Sequence, residues 1–482
     1  MLLAGAVLGG CMAGPDFKAP ATPGAAAPYT TASLSNLQHN AVLNLDGALP
    51  MPAQWWSLLE SPRLDATIRV ALQDNRDLAA ARERLAQAQE LVRVAGAARY
   101  PNLTAAAAAA RVKYGPAFLG PTFVGVVPAF NYFEIGPAVS YTFDFSGGLR
   151  RSVEQRRAQA SSQEQQLQAA ALAVSGNVAM QALAIASARS QLEALQAVLA
   201  DDERNLDLVQ ASFAAGAATR VDILNAQSQL ANDQTLLPPV RQQLSLAVDA
   251  LALLVGRSPG EWPAADFTLA EFHVPMRLPL AVPSELAHRR PDILAAEAQL
   301  HAATAAVGVA TANLYPQISL TADASFQSNL ISQLFNASGI GSGLTGSLTA
   351  PLFNHGELRA SQRAATAAMH AALDDYQRAV LSAFGQVADA LQALDHDQEL
   401  LAGEHTALQT STQNLALTRE SYSAGNSGVL QVLDAQRQYE QAQLGLVRAE
   451  SQRLQDTVQL LLALGGRIPT LTTPAGGAPG AD

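Results

Sequence analysis

Two stretches of this chain carry the same punctuation in the same order, and that duplication limits what it can fold into. Phe213 to Gln227 reads FAAGAATRVDILNAQ, and Tyr422 to Gln436 reads YSAGNSGVLQVLDAQ. Gly216 answers Gly425, Leu224 answers Leu433, Ala226 answers Ala435 and Gln227 answers Gln436, each 209 positions further on. A glycine, a polar residue and a run entering a helix read together as the tip of a helix–turn–helix. The correspondence extends outward. Asp77-Leu78 precedes Tyr100-Pro101 by the same 23 positions that separate Asp292-Ile293 from Tyr315-Pro316. Gly148-Leu149-Arg150 answers Glu357-Leu358-Arg359, and Gly256-Arg257 answers Gly465 and Gly466-Arg467. Residues 62–257 and 284–467 therefore read as two copies of one unit. Residues 258–283 form a Pro-rich linker, and 468–482 a Pro/Gly/Thr tail.

No proline interrupts the chain from Ala138 to Leu237 or from Leu352 to Ile468. Leu149–Phe213 can be one helix of ~65 residues, roughly 100 Å long. Arg359–Tyr422 reads the same way. The arm returning from the first tip meets Pro238-Pro239 and breaks there. Hydrophobic residues make up 49% of the chain but aromatics only 5%, with abundant Ala and Gln, so helices packed closely are expected rather than a bulky core. Another helix is expected from Ser61-Pro62 to Ala98, with Leu64, Ile68, Leu72, Leu78 and Leu85 on its apolar stripe and Tyr100-Pro101 as its stop. Trp55-Trp56 before it read as packing anchors.

Each copy also holds a segment of period two. Asn102–Arg111 is weakly strand-like because it is nearly all Ala; residues 112–134 read as a loop; Ile135–Phe145 alternates, with Val139, Tyr141, Phe143 and Phe145 on one face and Ser140, Thr142 and Asp144 on the other. In the second copy Ile318, Leu320, Ala322, Ala324 and Phe326 alternate with polar residues, and so do Leu344, Leu348 and Leu352. The hairpins, 102–145 and 317–352, thus supply four strands of about ten residues, long enough to cross a bilayer when tilted. Nine of the 26 aromatic residues fall between Tyr114 and Phe145, as an interfacial girdle requires. A soluble hairpin packed on a core alternates too.

The N-terminus bears on the same question. MLLAGAVLGG precedes Cys11, the one cysteine. The apolar run is too short to span a membrane and has the length of a signal-peptide core, although a positive start is missing. This resembles a bacterial lipoprotein signal, 1–10, with diacylglycerol and acyl chains then carried on Cys11. The competing reading is a buried cysteine in a cytosolic protein. Residues 11–60 follow as an extended, lipid-anchored segment with no apolar period.

Four strands cannot close a barrel, and an open sheet edge is not tolerated in lipid. Two copies of the chain would give eight strands and a filled interior; three would give twelve and a pore. Polar Ser, Thr and Asp on one face favour twelve. The expected fold is thus an α+β membrane protein: a trimeric twelve-stranded transmembrane β-barrel continuous with a long α-helical barrel.

The lipobox and GPDFKAP, the WW…SPRLDATIRVALQDNRDL run, VPSELAHRRPDI, NLYPQISLTA, APLFNHGELRA and SAGNSGVLQVLDAQRQYEQAQ carry a resemblance over nearly the whole chain. They resemble the TolC-like outer-membrane factors, the OprM/NodT-type lipoprotein channels of resistance–nodulation–division efflux systems. The resemblance implies a homotrimer in the bacterial outer membrane that reaches into the periplasm. It implies a periplasmic adaptor and an inner-membrane pump as partners, and passive export of drugs, solvents or other small toxic molecules. A metal-efflux or type I secretion duct shares the fold. A pore-less periplasmic coiled-coil lipoprotein is the alternative of a different class.

The resemblance also places a periplasmic gate at the second tip, 422–431, with Asp434 and Tyr422 at matching positions. Three copies of Asp434 would make a negative ring selecting cations; the competing reading is a first-turn charge favoured by the helix dipole. Ser421 and Ser423 stand where an arginine is common, and Ser427 where a second acid often sits. Gly216, Asp222 and Gly425 mark the turns that would dock an adaptor. A net charge of −11 argues against nucleic acid. No triad, paired-carboxylate catalytic motif, phosphate loop or metal-ligand spacing stands out. The six histidines from His288 to His405 read as surface residues, and Arg289-Arg290-Pro291-Asp292 as a charge-paired helix start.

Overall fold

The computed structural model describes residues 12–24, 29, 44–46, 51–115, 128–263, 266–275, 277–279, 283–466 and 468. The signal segment 1–10, Cys11 and residues 116–127 of the expected loop lie outside them. The chain forms two compact units. One comprises Leu85–Gln163 and Ala296–Tyr376 with the N-terminal segment up to Pro20; the other comprises Ala21–Arg84, Glu164–Ala295 and Gln377 onward. Each unit draws on both sequence copies.

The first unit holds a four-stranded antiparallel sheet. Its strands are β2 (Asn102–Val112), β3 (Phe130–Phe143), β5 (Gln317–Ser328) and β6 (Ile340–Thr349), in the order β2-β3-β5-β6. The register sorts side chains by face. Leu103 pairs with Val139, which pairs with Ala322, which pairs with Leu344; Tyr141 pairs with Leu320. Phe143 pairs with Ile318 and that with Leu348, completing an apolar face. Asn102, Ser140, Thr321 and Thr345 form a row on the other face, and Thr142, Ser319 and Ser347 another. β3 begins five residues before the expected Ile135, because Phe130–Glu134 pair with Val112–Ala108. β6 likewise starts early at Ile340 and stops at Thr349, so Leu352 lies beyond the sheet.

Long helices adjoin the sheet strands. α3 (Gly148–Ala214) is capped by the Asp144 carboxylate, which accepts the Leu149 and Arg150 amides at 2.9 Å each. α7 (Pro291–Ala312) leads into β5. The expected tether is held here rather than free. Arg151, 1% exposed, donates to the carbonyls of Ala13 and Gly14 and pairs with Asp16 at 2.6 Å. Phe17 stacks on His301 at 4.3 Å, and His301 bonds Glu154 at 2.9 Å, so His301 is not a free surface residue.

In the second unit Trp55 and Trp56 are buried, and their indole nitrogens donate to Ser175 (3.1 Å) and Asp65 (2.9 Å). The single helix expected over 62–98 is two: α1 (Pro62–Asp74) and α2 (Arg76–Ala97). Asn75 takes ψ 130°, its side-chain oxygen accepts the Asp77 and Leu78 amides, and its nitrogen donates to Leu254. That break is a local cap that leaves the apolar period intact, so periodicity does not register it. β1 (Asn44–Asp46) pairs in parallel with β4 (Arg277–Pro279). The first return arm is α4 (Arg220–Gln234) and α5 (Leu237–Leu254), with Pro238-Pro239 in the first turn of α5. The short α6 (Pro283–Ala287) precedes α7. Arg290, buried at the start of α7, donates to Asp292, Gln386 and the Ala463 carbonyl. The second hairpin is α8 (Glu357–Ser423) and an unbroken α9 (Val429–Ala463). α3 and α8 are each 67 residues long, against the ~65 read from the sequence.

Candidate functional site

The two turns are built alike. After α3, Gly216 takes φ +79°; its amide donates to Phe213 (2.9 Å) and the Ala217 amide to Ser212 (2.8 Å). After α8, Gly425 takes φ +76°; its amide donates to Tyr422 (3.0 Å) and the Asn426 amide to Ser421 (2.9 Å). This paired closure needs one left-handed residue, which glycine supplies without a Cβ clash.

The helices beyond the turns start differently. The Thr219 hydroxyl accepts the Asp222 amide, and the Asp222 carboxylate accepts the Thr219 amide and hydroxyl at 2.7 Å each. Those hydrogen bonds hold the Asp222 carboxyl below the usual carboxylate range. At the second tip the Gly428 amide donates to the Gln431 carboxamide oxygen.

Tyr422 packs against a small core of Val209, Ile223, Ala226 and Val429, and its hydroxyl lies 3.4 Å from the Ser212 hydroxyl. Asp434 is the sixth residue of α9, half exposed and paired with Arg437. It lies beyond the first turn, which contains no acid, so the helix-start reading of its charge does not hold. Among the described residues no hydrogen bond joins Asp434 to Tyr422 or to Asp222.

A network the sequence reading missed lies close by. Arg419 donates to Gln436 (2.7 Å) and pairs with Asp201 (3.2 Å), and Gln436 donates to Asp201 at 3.3 Å. It ties α3, α8 and α9 together, and Gln436 at its centre is 1% exposed. The arginine absent beside Tyr422 is thus supplied one turn earlier, by Arg419. Ser423 and Ser427 instead bond to the carbonyls of Glu420 and Thr418. A signal was available: Gln436 and Glu440 continue the apolar stripe of Val429, Val432 and Leu433 with polar side chains.

Two buried acid clusters lie on the same helices. Asp202 (α3) meets Asp233 (α4) and Glu440 (α9), and Asp397 (α8) meets Asp456 (α9). No donor among the described residues reaches either oxygen of Asp202, so its contact with Asp233 is a hydrogen bond only while one carboxyl carries a proton. Burial first, then the Asp233 contact and the Glu440 charge, push Asp202 up to about 8. Burial and Asp456 push Asp397 up to about 7, and burial pushes Glu440 up to about 7 against the hydrogen bond from Gln436. Among the described residues no group of three His, Cys, Asp or Glu side chains has the geometry to hold a metal.

The profile of the outer membrane efflux protein family matches residues 67–257 and 282–466, close to the two copies read from the sequence. The chain belongs to the outer membrane efflux protein family. It is 33% identical over 415 residues to the pyoverdine export outer membrane protein OpmQ of Pseudomonas aeruginosa, covering 86% of this chain and 87% of that protein. It is 28% identical to the cation efflux system protein CusC of Escherichia coli over 95% of this chain and 96% of that one. Its structure is similar to that of the outer-membrane channel OprN, with TM-score 0.85, 26% identity, and coverage of 95% and 99%. As an outer membrane efflux protein, the chain places its sheet in the outer membrane and reaches into the periplasm, and it works as an efflux channel component. α3 and α7 each carry an apolar window long enough to cross a membrane, but 56% and 50% of those windows are buried against protein.

Proposed function

We propose that three copies of this chain close a twelve-stranded barrel and form the outer-membrane duct of a tripartite pump. The observation that carries this is the sheet: four strands, one apolar face, one polar face, and two open edges at β2 and β6. Lipid does not tolerate open edges, so the edges pair with neighbouring copies, and twelve strands leave a wet lumen for the polar face. Cys11 carries the lipid anchor, released from the signal segment 1–10. The helical turns at Gly216 and Gly425, with Asp222 beside the first, meet a periplasmic adaptor, which couples the duct to an inner-membrane pump of the resistance–nodulation–division class. The chain itself performs no catalysis. Its cargo is small toxic compounds or drugs. CusC, named for cation efflux, favours metal ions as the second reading.

The gate of this duct is the second tip. Asp434 of three chains rings the opening, and the Tyr422–Ser212 contact and the Asp201–Arg419–Gln436 network hold the helices closed. Single-channel conductance of the purified protein in a planar bilayer tests this, with Asp434→Ala and Arg419→Ala beside it. Discrete cation-selective steps are expected. Asp434→Ala should lose cation selectivity, since Arg437 is left without its partner, and Arg419→Ala should raise conductance. A monomer in mild detergent with no conductance would overturn the duct; steps unchanged in both variants would overturn the gate alone.

A further inference from the structure

Besides its tips, the chain has a basic cavity where its strands give way to helices. It measures about 410 Å3 and is lined by Met12, Arg99, Arg150, Val153, Glu154, Arg157 and His301. In a chain of net charge −11, three arginines around one cavity need a reason. Their pairing does not supply it. Arg150 is held by Asp144, through its carboxylate at 3.4 Å and its carbonyl at 3.0 Å. Glu154 is engaged by Arg151 (2.7 Å) and His301 (2.9 Å). Among the described residues, no side-chain hydrogen bond or ion pair is made by Arg99 or Arg157. Two guanidinium forks thus face the cavity without an anion, and a guanidinium matches phosphate in geometry as well as charge.

The position narrows the ligand. Arg99 directly precedes Tyr100-Pro101 and β2, and Arg150 and Arg157 lie in the first turns of α3, just after β3. The same strand ends expose Tyr100 (72%), Leu352 (95%) and Phe353 (80%). Exposed aromatic and apolar side chains followed by cations is the order of side chains at a bilayer surface. Met12 is the residue after Cys11. The second sequence copy does not repeat the arginine cluster: Leu314 stands for Arg99 and Thr366 for Arg157, although Arg359 still answers Arg150. The three arginines together therefore belong to the first copy, beside the N-terminal segment that Arg151 holds.

We propose that this cavity binds the phosphate of an anionic glycerophospholipid of the periplasmic leaflet, one per chain. The inference rests on outer-membrane placement and not on the gate, so it stands if the gate reading fails. Native mass spectrometry of the full-length protein in mild detergent tests it, with phosphatidylglycerol, phosphatidylcholine and inorganic phosphate as probes. Phosphatidylglycerol should bind once per chain, phosphatidylcholine more weakly, and millimolar inorganic phosphate should not displace the lipid. Arg99→Ala with Arg157→Ala should weaken phosphatidylglycerol binding by about tenfold or more. Arg359→Ala, the matching arginine outside the cavity, should leave it unchanged. Arg99 and Arg157 are exposed, so folding is preserved; Arg157→Gln alone serves if the double variant fails to assemble. Equal binding by wild type and double variant would overturn the proposal. So would displacement by inorganic phosphate, which would make the ligand a soluble anion.

Discussion

The two helical hairpins share a plan but not its chemistry. Both run a 67-residue helix into a turn closed on a left-handed glycine, and both return arms end at a second such glycine, Gly256 and Gly465. The first return arm is broken at Thr235-Leu236, whereas the second is continuous for 35 residues. The acids also differ. Asp397 and Asp456 occupy the places that Ala188 and Ala247 hold in the first copy, and Asp202 and Asp233 those of Ser411 and Ala442 in the second. Every one of these alanines is buried, so the exchange is between apolar contact and a buried proton. Backbone turns tolerate only glycine and persist in both copies. The helix seams tolerate either small apolar contacts or paired acids, and they have diverged.

The widest contrast is proline. Pro238 lies in the first turn of α5, where its missing N–H has no helical acceptor to lose. Its counterpart Val447 lies mid-way along α9. Val447→Pro should cost about 3 kcal/mol or more and split the second arm as the first is split. Pro238→Ala should change stability by less than about 1 kcal/mol. Thermal unfolding followed by helical circular dichroism checks both. A mild Val447→Pro would mean that the continuous second arm is dispensable.

The acids give an effect with a defined pH dependence. Asp202, Asp397 and Glu440 titrate in the folded chain at about 8, 7 and 7. Unfolded carboxyls titrate near 4. Between those values the folded chain holds protons that the unfolded chain has released, so stability falls as pH rises through the window. The contribution is full below about pH 4 and gone above about pH 8, on the order of several kcal/mol per cluster. Replacing both Asp397 and Asp456 by Ala gives the second copy the seam of the first. That variant should melt no higher than wild type at pH 5 and higher at pH 9, so the two curves cross. Parallel curves would show that this pair does not carry the dependence.

How much of this is readable in sequence follows from the range of each interaction. Gly216, Gly425 and the Pro-free runs act on their own neighbours, and the long helices lie within two residues of their expected bounds. The early start of β3 is hidden because its partner, Ala105–Ala110, offers no side-chain contrast to read a register from. Asp222 is legible as a turn residue, and its place three residues after Thr219 is the local pattern of the capping box that joins them. The Asp201–Arg419–Gln436 network and the acid clusters join residues 17 to 238 positions apart, and no local pattern pairs them. Asp434 was visible by its place in VLDAQ; its partner Arg437 is three residues on and could have been read with it.

The finest difference between the copies lies at the two helix starts. Thr219 has a side chain that caps α4, and Gly428, in the same extended conformation at φ −87° and ψ 165°, has none. Thr219→Ala should therefore cost about 1 kcal/mol, because the Asp222 amide loses its acceptor and the Asp222 carboxylate loses the hydroxyl bond. It should also free Asp222, whose carboxyl would rise toward its ordinary range. Gly428→Thr installs the missing hydroxyl acceptor, and a Cβ there meets only the Gln431 oxygen at an ordinary 3.4 Å. The gain should be a few tenths of a kcal/mol, since glycine is already a fair cap. Hydrogen exchange at the amides of residues 220–223 and 429–432 reads both changes locally: faster in the first variant, slower in the second. Unchanged exchange at 220–223 in Thr219→Ala would mean that the first tip is held by its neighbours in α8 and α9 rather than by its own cap. The two tips would then differ in sequence but not in what secures them.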